Sequence, residues 1–239
     1  MSFENSYIIN KDNLDFYLNE LSKTYKKIAG RKATFEIILI GGAAIIENYG
    51  FRDMTTDIDA IYDTFSSMKE AINIVGDKYN LPNGWLNDDF KKTLSYTPKL
   101  YNYSVPYKTF NQVLNVRTIT AEYMIAMKLR AGRQYKNDLS DIVGILYEHE
   151  KMGEPITFEQ IDIAVKNLYG SWDAFDESVV KFIKDVFADG AFEKLYAVTR
   201  ENEKEAKSLL VQFEKDCPGL LKTESVNSVL EQLRKRCKE

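Results

Sequence analysis

Asp57 and Asp59 stand two residues apart in the run Thr55-Thr56-Asp57-Ile58-Asp59-Ala60-Ile61-Tyr62, among apolar neighbours suited to burial. Two carboxylates that close repel one another and are costly to bury unpaired, so the spacing asks for water or for positive charge. In an extended chain, residues i and i+2 leave the same face about 6.5–7 Å apart. Their carboxylates can then converge on one or two hard cations, which lie about 3.5–4 Å apart in two-metal sites. Mg2+ suits such a pair because it takes a few carboxylates and lets substrate phosphates complete its octahedron. Alternation predicts a strand with Asp57, Asp59 and Ile61 on one face and Ile58, Ala60 and Tyr62 on the other, Asp63 continuing the charged side. A solvated strand face uses the same pattern, and the pair alone does not decide between them.

Some fifteen residues earlier the β-rich run Ala33-Thr-Phe-Glu-Ile-Ile-Leu-Ile40 ends in Gly41-Gly42. A strand that turns through two glycines straight into a helix lets backbone approach a bulky anion, with no Cβ in the way. The helix N-terminus then presents its free N–H groups to that anion. The helix itself is predicted over Ala43–Asn48, stopping at Gly50. No Gly-Lys-Ser/Thr follows, so this is not a P-loop, and the spacing is not that of a dinucleotide fingerprint. Plain turn chemistry accounts for the glycines taken by themselves.

Together, Gly41-Gly42, a short helix and Thr55-Thr56-Asp57-Ile58-Asp59 resemble the signature of the DNA polymerase β-like nucleotidyltransferase superfamily over Ile38–Tyr62. The resemblance implies that the glycine turn holds a nucleoside triphosphate (NTP) and that the two aspartates hold two Mg2+ ions. Thr55 or Thr56 would donate a hydrogen bond to the same phosphates. Many members carry a third metal-binding carboxylate on a later strand. The candidate strand here, Gln112–Ile119, offers Asn115 and Arg117 at that place.

A second informative segment runs from Thr120 to Leu146. On its first helix Met124, Met127 and Ala131 form an apolar stripe, Lys128 borders it, and Arg130 and Arg133 share another face. The next helix opens with Asp138 and Asp141 on one side. An N-cap aspartate and a surface lysine whose stem snorkels are the ordinary readings of these residues. The block is also similar to one found in AbiEii-like and MenT-like toxin nucleotidyltransferases. There the lysine approaches the nucleotide phosphates and a later acid completes the site. Lys128 matches that lysine, and Asp138 or Asp141 matches the acid, with the Lys136-Asn137-Asp138 step favouring Asp138. Arg130, Arg133 and Lys136 would then contact an RNA acceptor, a tRNA 3′ end in the toxin-like relatives. A cognate antitoxin protein is a further partner the resemblance implies. The toxin-like subgroup tends to lack the third acid, so the departure at Asn115 and Arg117 narrows the subfamily. The alternative reading is a catalytically inactive member that binds a nucleotide or a partner protein.

The elements that must position these residues fall into two halves. Leu14, Tyr17, Leu18, Leu21 and Tyr25 recur at helical spacing up to a stop at Gly30, and a helix capped by Ser66 or Ser67 follows the aspartate strand. Leu94–Phe110 and Gln112–Ile119 read as two or three strands broken by Pro98 and Pro106. From Thr120 onward the period is helical, with Thr157 as an N-cap and Gly170 and Gly190 as stops. The expected fold is α+β, with a polymerase β-like core (a small mixed sheet flanked by helices) over residues 1–119. A helical region over 120–239 follows, its first two helices completing the site.

Composition agrees with a globular protein: of 239 residues 44% are hydrophobic and 28% charged, and 15 Tyr with 13 Phe are too many for a disordered chain. A net charge of -4 argues against general coating of polyanions. Cys217 and Cys237 give neither a disulfide framework nor zinc spacing, and His149 has no partner at ligand or triad spacing. The basic run Arg234, Lys235, Arg236 and Lys238 reads as a solvated helix end or as a contact for RNA backbone. No apolar run reaches the ~20 residues of a membrane span, and the amino-terminal residues lack the pattern of a signal peptide. A cytoplasmic protein without a membrane partner is expected.

Overall fold

The computed structural model describes residues 8–52, 54–220 and 226–236. They form two compact units, one of the described residues up to 124 with 163–170, the other of residues 125–162 with the described residues from 171 onward.

In the first unit, helix α1 (Lys11–Ala29) starts at a capping box between Asn10 and Asn13 and stops at Gly30, whose φ of 93° a residue with a Cβ would resist. Of the stripe the sequence spacing predicts, Leu14, Leu18, Leu21 and Tyr25 are buried and Tyr17 is partly exposed. Strand β1 (Phe35–Leu39) leads into helix α2 (Gly41–Asn48). Strand β2 (Ile58–Ile61) precedes helix α3 (Ser66–Tyr79) and the two-residue strand β3 (Leu86–Asn87). Strands β4 (Ser104–Phe110) and β5 (Leu114–Ile119) close the sheet, whose order is β3-β2-β1-β5-β4. Strand β1 runs antiparallel to β2, with Ile38 opposite Ile61, and parallel to β5, with Ile38 beside Arg117. The sheet is thus mixed. β1 and β2 lie inside it, which is why Ile37, Ile38, Leu39, Ile58 and Ile61 are all fully buried; each such side chain contributes about 1.5–3 kcal/mol.

Local expectations shift in four places. Helix α2 begins at Gly41, so both glycines belong to its first turn rather than preceding it. The N-cap of α3 is Phe65, with no side-chain cap from Ser66 or Ser67. Residues 94–110 hold one strand, β4, preceded by a 3-10 segment over Pro98–Tyr103. Proline at the start of that segment is tolerated because the first N–H of a helical turn lacks a partner anyway. The aspartate strand starts at Ile58, leaving Asp57 in a bend just ahead of it.

In the second unit helices carry all the regular structure among the described residues. Helix α5 (Asp138–Lys151) packs along helix α8 (Phe192–Asp216), and α9 (Val226–Arg236) closes on α8 through Ala206, Leu210, Val226 and Leu230. Helix α7 (Glu177–Asp189) ends at Gly190 in the left-handed conformation. Two helices cross the division between the units. Helix α4 spans Ala121–Ala131. Helix α6 spans Phe158–Tyr169 and starts at a Thr157/Gln160 capping box (2.8 and 3.3 Å). Gly170 stops α6 with φ 87°.

The chain is therefore α+β, a five-stranded mixed sheet flanked by helices followed by a helical carboxy-terminal region. Among the described residues no helix is long and apolar enough to cross a membrane. Cys237 and Lys238 lie outside the described residues, as do the side chains of Lys235 and Arg236. Arg234 donates to the Gln134 side chain at 2.8 Å.

Candidate functional site

The connection from β1 to α2 brings the glycines to the aspartates. Asp59 lies on β2, and its carbonyl accepts the N–H of Ile40, which ties the end of β1 to the aspartate strand (2.9 Å). On its other side Asp59 pairs with Asn87 of β3. Gly41 opens α2 at φ +61°, a conformation that favours glycine, and a Cβ there would sit 3.3 Å from Asp59 Oδ2. The backbone of the glycine turn therefore passes directly against the Asp59 carboxylate.

Gly42 is more tightly enclosed. A Cβ at this position would lie 2.6 Å from Thr55 Oγ1, and 2.9 Å from both Thr55 Cβ and Arg52 Nη2. Thr55 is held by a two-hydrogen-bond bridge to Ile9 (2.8 Å each way), so its backbone cannot easily retreat. Gly42→Ala is expected to destabilise the protein by about 1–3 kcal/mol through overpacking. Urea unfolding checks this, and an unchanged midpoint would mean that the turn opens freely.

Asp57 and Asp59 are both partly exposed, as groups that must meet a ligand need to be. Thr56 is exposed and its hydroxyl lies at the limit of hydrogen-bond distance from Asp57 Oδ1, 3.5 Å, whereas Thr55 is buried. Helix α2 has no side-chain cap at Ile40 and no acidic residue in its first turn, so no carboxylate of its own competes for the turn's N–H groups. The arrangement is a corner of helix-opening backbone amides beside the Asp59 carboxylate.

At the strand positions where a third carboxylate was sought, the β-sheet carries other groups. Arg117 Nε donates to Ser104 Oγ at 2.7 Å, and its Nη2 donates to the Ser104 carbonyl. Asn115 Oδ1 accepts from Thr109 Oγ1 at 2.9 Å. Among the described residues no three Asp, Glu, His or Cys side chains gather into a metal-holding group. Two carboxylate oxygen donors fit one Mg2+ whose remaining positions are filled by phosphate and water. A second ion would depend on substrate oxygens for most of its shell.

Lys128, Arg133, Asp138 and Asp141 meet in the second unit. Lys128 is only 8% exposed, and its Nζ lies 2.7 Å from Asp141 Oδ2 and 3.3 Å from Asp138 Oδ1. Arg133 adds a two-pronged contact to Asp138, Nε to Oδ2 at 2.6 Å and Nη2 to Oδ1 at 3.1 Å. Burial works to raise the pKa of Asp138, but Lys128 and Arg133 outweigh it and hold the carboxyl below the usual range. Lys128 pairs with both acids of the block, Asp138 and Asp141. Helix α4 is buried nearly all round rather than along one stripe, with Tyr123, Ile125, Ala126 and Leu129 enclosed beside Met124 and Met127. Arg130 donates to the Ala174 carbonyl and lies over the Phe175 ring (5.8 Å), while Lys136 is exposed.

One member of this cluster is invisible in the sequence motif. The N-cap of α5, Asn137, makes no side-chain cap bond. Glu203 of α8 does the capping instead, its Oε1 accepting from the N–H groups of Leu139 (2.9 Å) and Ser140 (3.3 Å). Burial pushes the Glu203 carboxyl up to about 7 from an ordinary 4.5; the bonds from Ser140 and Leu139 pull it down, and neighbouring Asp141 raises it further. Between about pH 4.5 and 7 the folded chain keeps a proton that the unfolded chain has released. Stability therefore falls as pH rises through that window, by about 3 kcal/mol in total. Glu203→Gln is expected to flatten this slope. Denaturant melts of both proteins at about pH 5 and about pH 8 test it, and parallel pH profiles would contradict it.

Sequence reasoning also missed Arg52. Its Nε donates to the Met54 carbonyl at 3.2 Å, which folds the guanidinium back onto Gly42. The only signal available was its position four residues upstream of Thr56, which no periodicity marks.

A family model described as "Nucleotidyltransferase of unknown function (DUF6036)" matches residues 17–169, from α1 through the glycine turn, the aspartates and the Lys128 cluster to the end of α6. No curated protein and no solved structure matches the chain. With well over half of its length covered by that one model, the chain belongs to this family of nucleotidyltransferases.

Proposed function

We propose that the chain transfers a nucleoside monophosphate from an NTP to an acceptor hydroxyl. The observation that carries this reading is the approach of the Gly41 backbone to the Asp59 carboxylate, 3.3 Å from where a Cβ would sit. It supports a phosphate cradle and a cation platform sharing one corner. Gly41 and Gly42 would offer backbone N–H groups to the β- and γ-phosphates, and Thr55 or Thr56 a hydroxyl. Asp57 and Asp59 would hold Mg2+ against the α-phosphate. The ion supplies neutralisation of charge on the phosphoryl oxygens and a lowered pKa at the attacking hydroxyl. As the acceptor oxygen bonds to the α-phosphorus, the bond to the bridging oxygen breaks and pyrophosphate leaves from the glycine turn.

Lys128 and Asp138 enter this reading through the resemblance to toxin-like nucleotidyltransferases, as does a tRNA 3′ end as acceptor and a cognate antitoxin as partner. Arg130, Arg133 and Lys136 would provide cationic contacts to such an RNA. A second reading, nucleotide binding without transfer, draws on Asn115 and Arg117, which stand where a third carboxylate would and are engaged by Thr109 and Ser104. Equilibrium dialysis with each NTP and Mg2+ tests the donor site. Saturable, Mg2+-dependent binding that Asp57→Ala/Asp59→Ala abolishes is expected, and binding indifferent to Mg2+ and to both substitutions would overturn it.

A further inference from the structure

The corner around Gly42 contains a cation that the glycine–aspartate signature does not include. Arg52 Nη2 and Thr55 Oγ1 lie 2.9 and 2.6 Å from the point a Gly42 Cβ would occupy, on the first turn of α2. Thr55 is 8% exposed, and its Oγ1 faces the same point of the turn. A hydroxyl beside helix-opening amides can donate to an anion held there. The Nε bond to Met54 and the stacking of Tyr49 on Phe51 (5.7 Å) order the loop that delivers Arg52. Only glycine at position 42 leaves the guanidinium and the hydroxyl room to reach the same backbone.

We infer that Arg52 is a donor-binding residue that grips the terminal phosphates of a polyphosphate-bearing nucleotide, working with Thr55 and the amides of Gly41 and Gly42. This rests on the nucleotidyl-transfer reading and names what that corner selects: a tri- or diphosphate tail, not a monophosphate. The chemistry favours it because Asp57 and Asp59 make the neighbouring platform anionic. A tetra-anionic tail placed beside them needs fixed positive charge, and a guanidinium offers a planar fork matched to phosphate oxygens. Arg52 makes and breaks no bond. It stays with the β- and γ-phosphates as they depart as pyrophosphate, so its loss affects donor affinity before the chemical step.

Calorimetric titration of the full chain in Mg2+ with inorganic tripolyphosphate, pyrophosphate and orthophosphate tests the assignment. Wild type is expected to bind tripolyphosphate and pyrophosphate and to ignore orthophosphate. Arg52→Ala should weaken the first two by about 10- to 100-fold, the loss of charge-assisted hydrogen bonds. Arg52→Lys should recover part of that affinity, since it restores charge without the fork. In transfer assays Arg52→Ala should raise KM for the NTP, leaving the KM for acceptor unchanged, a split that loop collapse would not give. If wild type binds tripolyphosphate and both variants bind it equally well, Arg52 has no such role while the donor site stands. If wild type binds neither polyphosphate, the donor-site reading fails and Arg52's role with it.

Discussion

Asp59→Asn is expected to lower the rate of nucleotidyl transfer by about a thousandfold while the protein remains folded. The carboxylate is partly exposed and lies against the Gly41 backbone, so an amide of the same shape fits the space. What it removes is the negative charge that would hold Mg2+ in the proposed reading. Metal stabilisation of a phosphoryl transition state is worth several kcal/mol, and each 1.36 kcal/mol is tenfold in rate. Asp57→Asn should act in the same direction. The two substitutions together should be little worse than one, because residues that work as a unit are not additive. Single-turnover rates at saturating NTP measure the effect, and circular dichroism with a thermal melt shows that the fold is kept. A loss of less than about tenfold would place the metal platform elsewhere.

Lys128→Met carries the largest expected effect on stability. Removing the ammonium takes a shared cation from two carboxylates that are 3% and 0% exposed, while Arg133 still pairs with Asp138. Breaking one side of a buried ion cluster costs about 3–5 kcal/mol, far more than a surface pair. The pH dependence should weaken as well. In wild type the Asp138 carboxyl is held below its ordinary range, so the stability it contributes is lost as pH falls through its folded pKa. Without Lys128 only Arg133 opposes burial at Asp138, so that carboxyl moves back toward its ordinary range and the acid-side loss shrinks. Adding Asp141→Asn to Lys128→Met should recover much of the loss. Urea unfolding of the three proteins at two pH values measures all of this. A Lys128→Met protein as stable as wild type would show the cluster to be dispensable to the fold.

These two predictions divide along the line between what local sequence encodes and what it does not. The stripe of α1 and its stop at Gly30 were legible, because helical period and a glycine at positive φ are properties of neighbouring residues. The meeting of Gly41 with Asp59 was legible as a motif, since strand, turn, helix and strand follow one another directly from Phe35 to Ile61. Its geometry was not, because the sequence could not say that α2 begins at Gly41 itself. The Lys128 cluster was half legible: spacing suggested an exposed lysine and an N-cap aspartate, whereas packing buries most of α4 and makes the charges pair. Glu203 was beyond reach, as its hydrogen bonds to Leu139 and Ser140 span 64 and 63 residues and no local pattern links an acid in α8 to the start of α5. Arg52 was missed for a related reason: its role depends on the loop folding back on Gly42, and an arginine beside an aspartate in a loop reads as ordinary surface charge.

The most direct measurement is transfer of label from each α-32P NTP, in Mg2+, to total tRNA and to a protein extract, with wild type and Asp57→Ala/Asp59→Ala run side by side. Labelled acceptor and an equal yield of pyrophosphate with wild type, and neither with the double variant, is the predicted result. Absence of label and of pyrophosphate with all four NTPs, or equal labelling by the double variant, would contradict it.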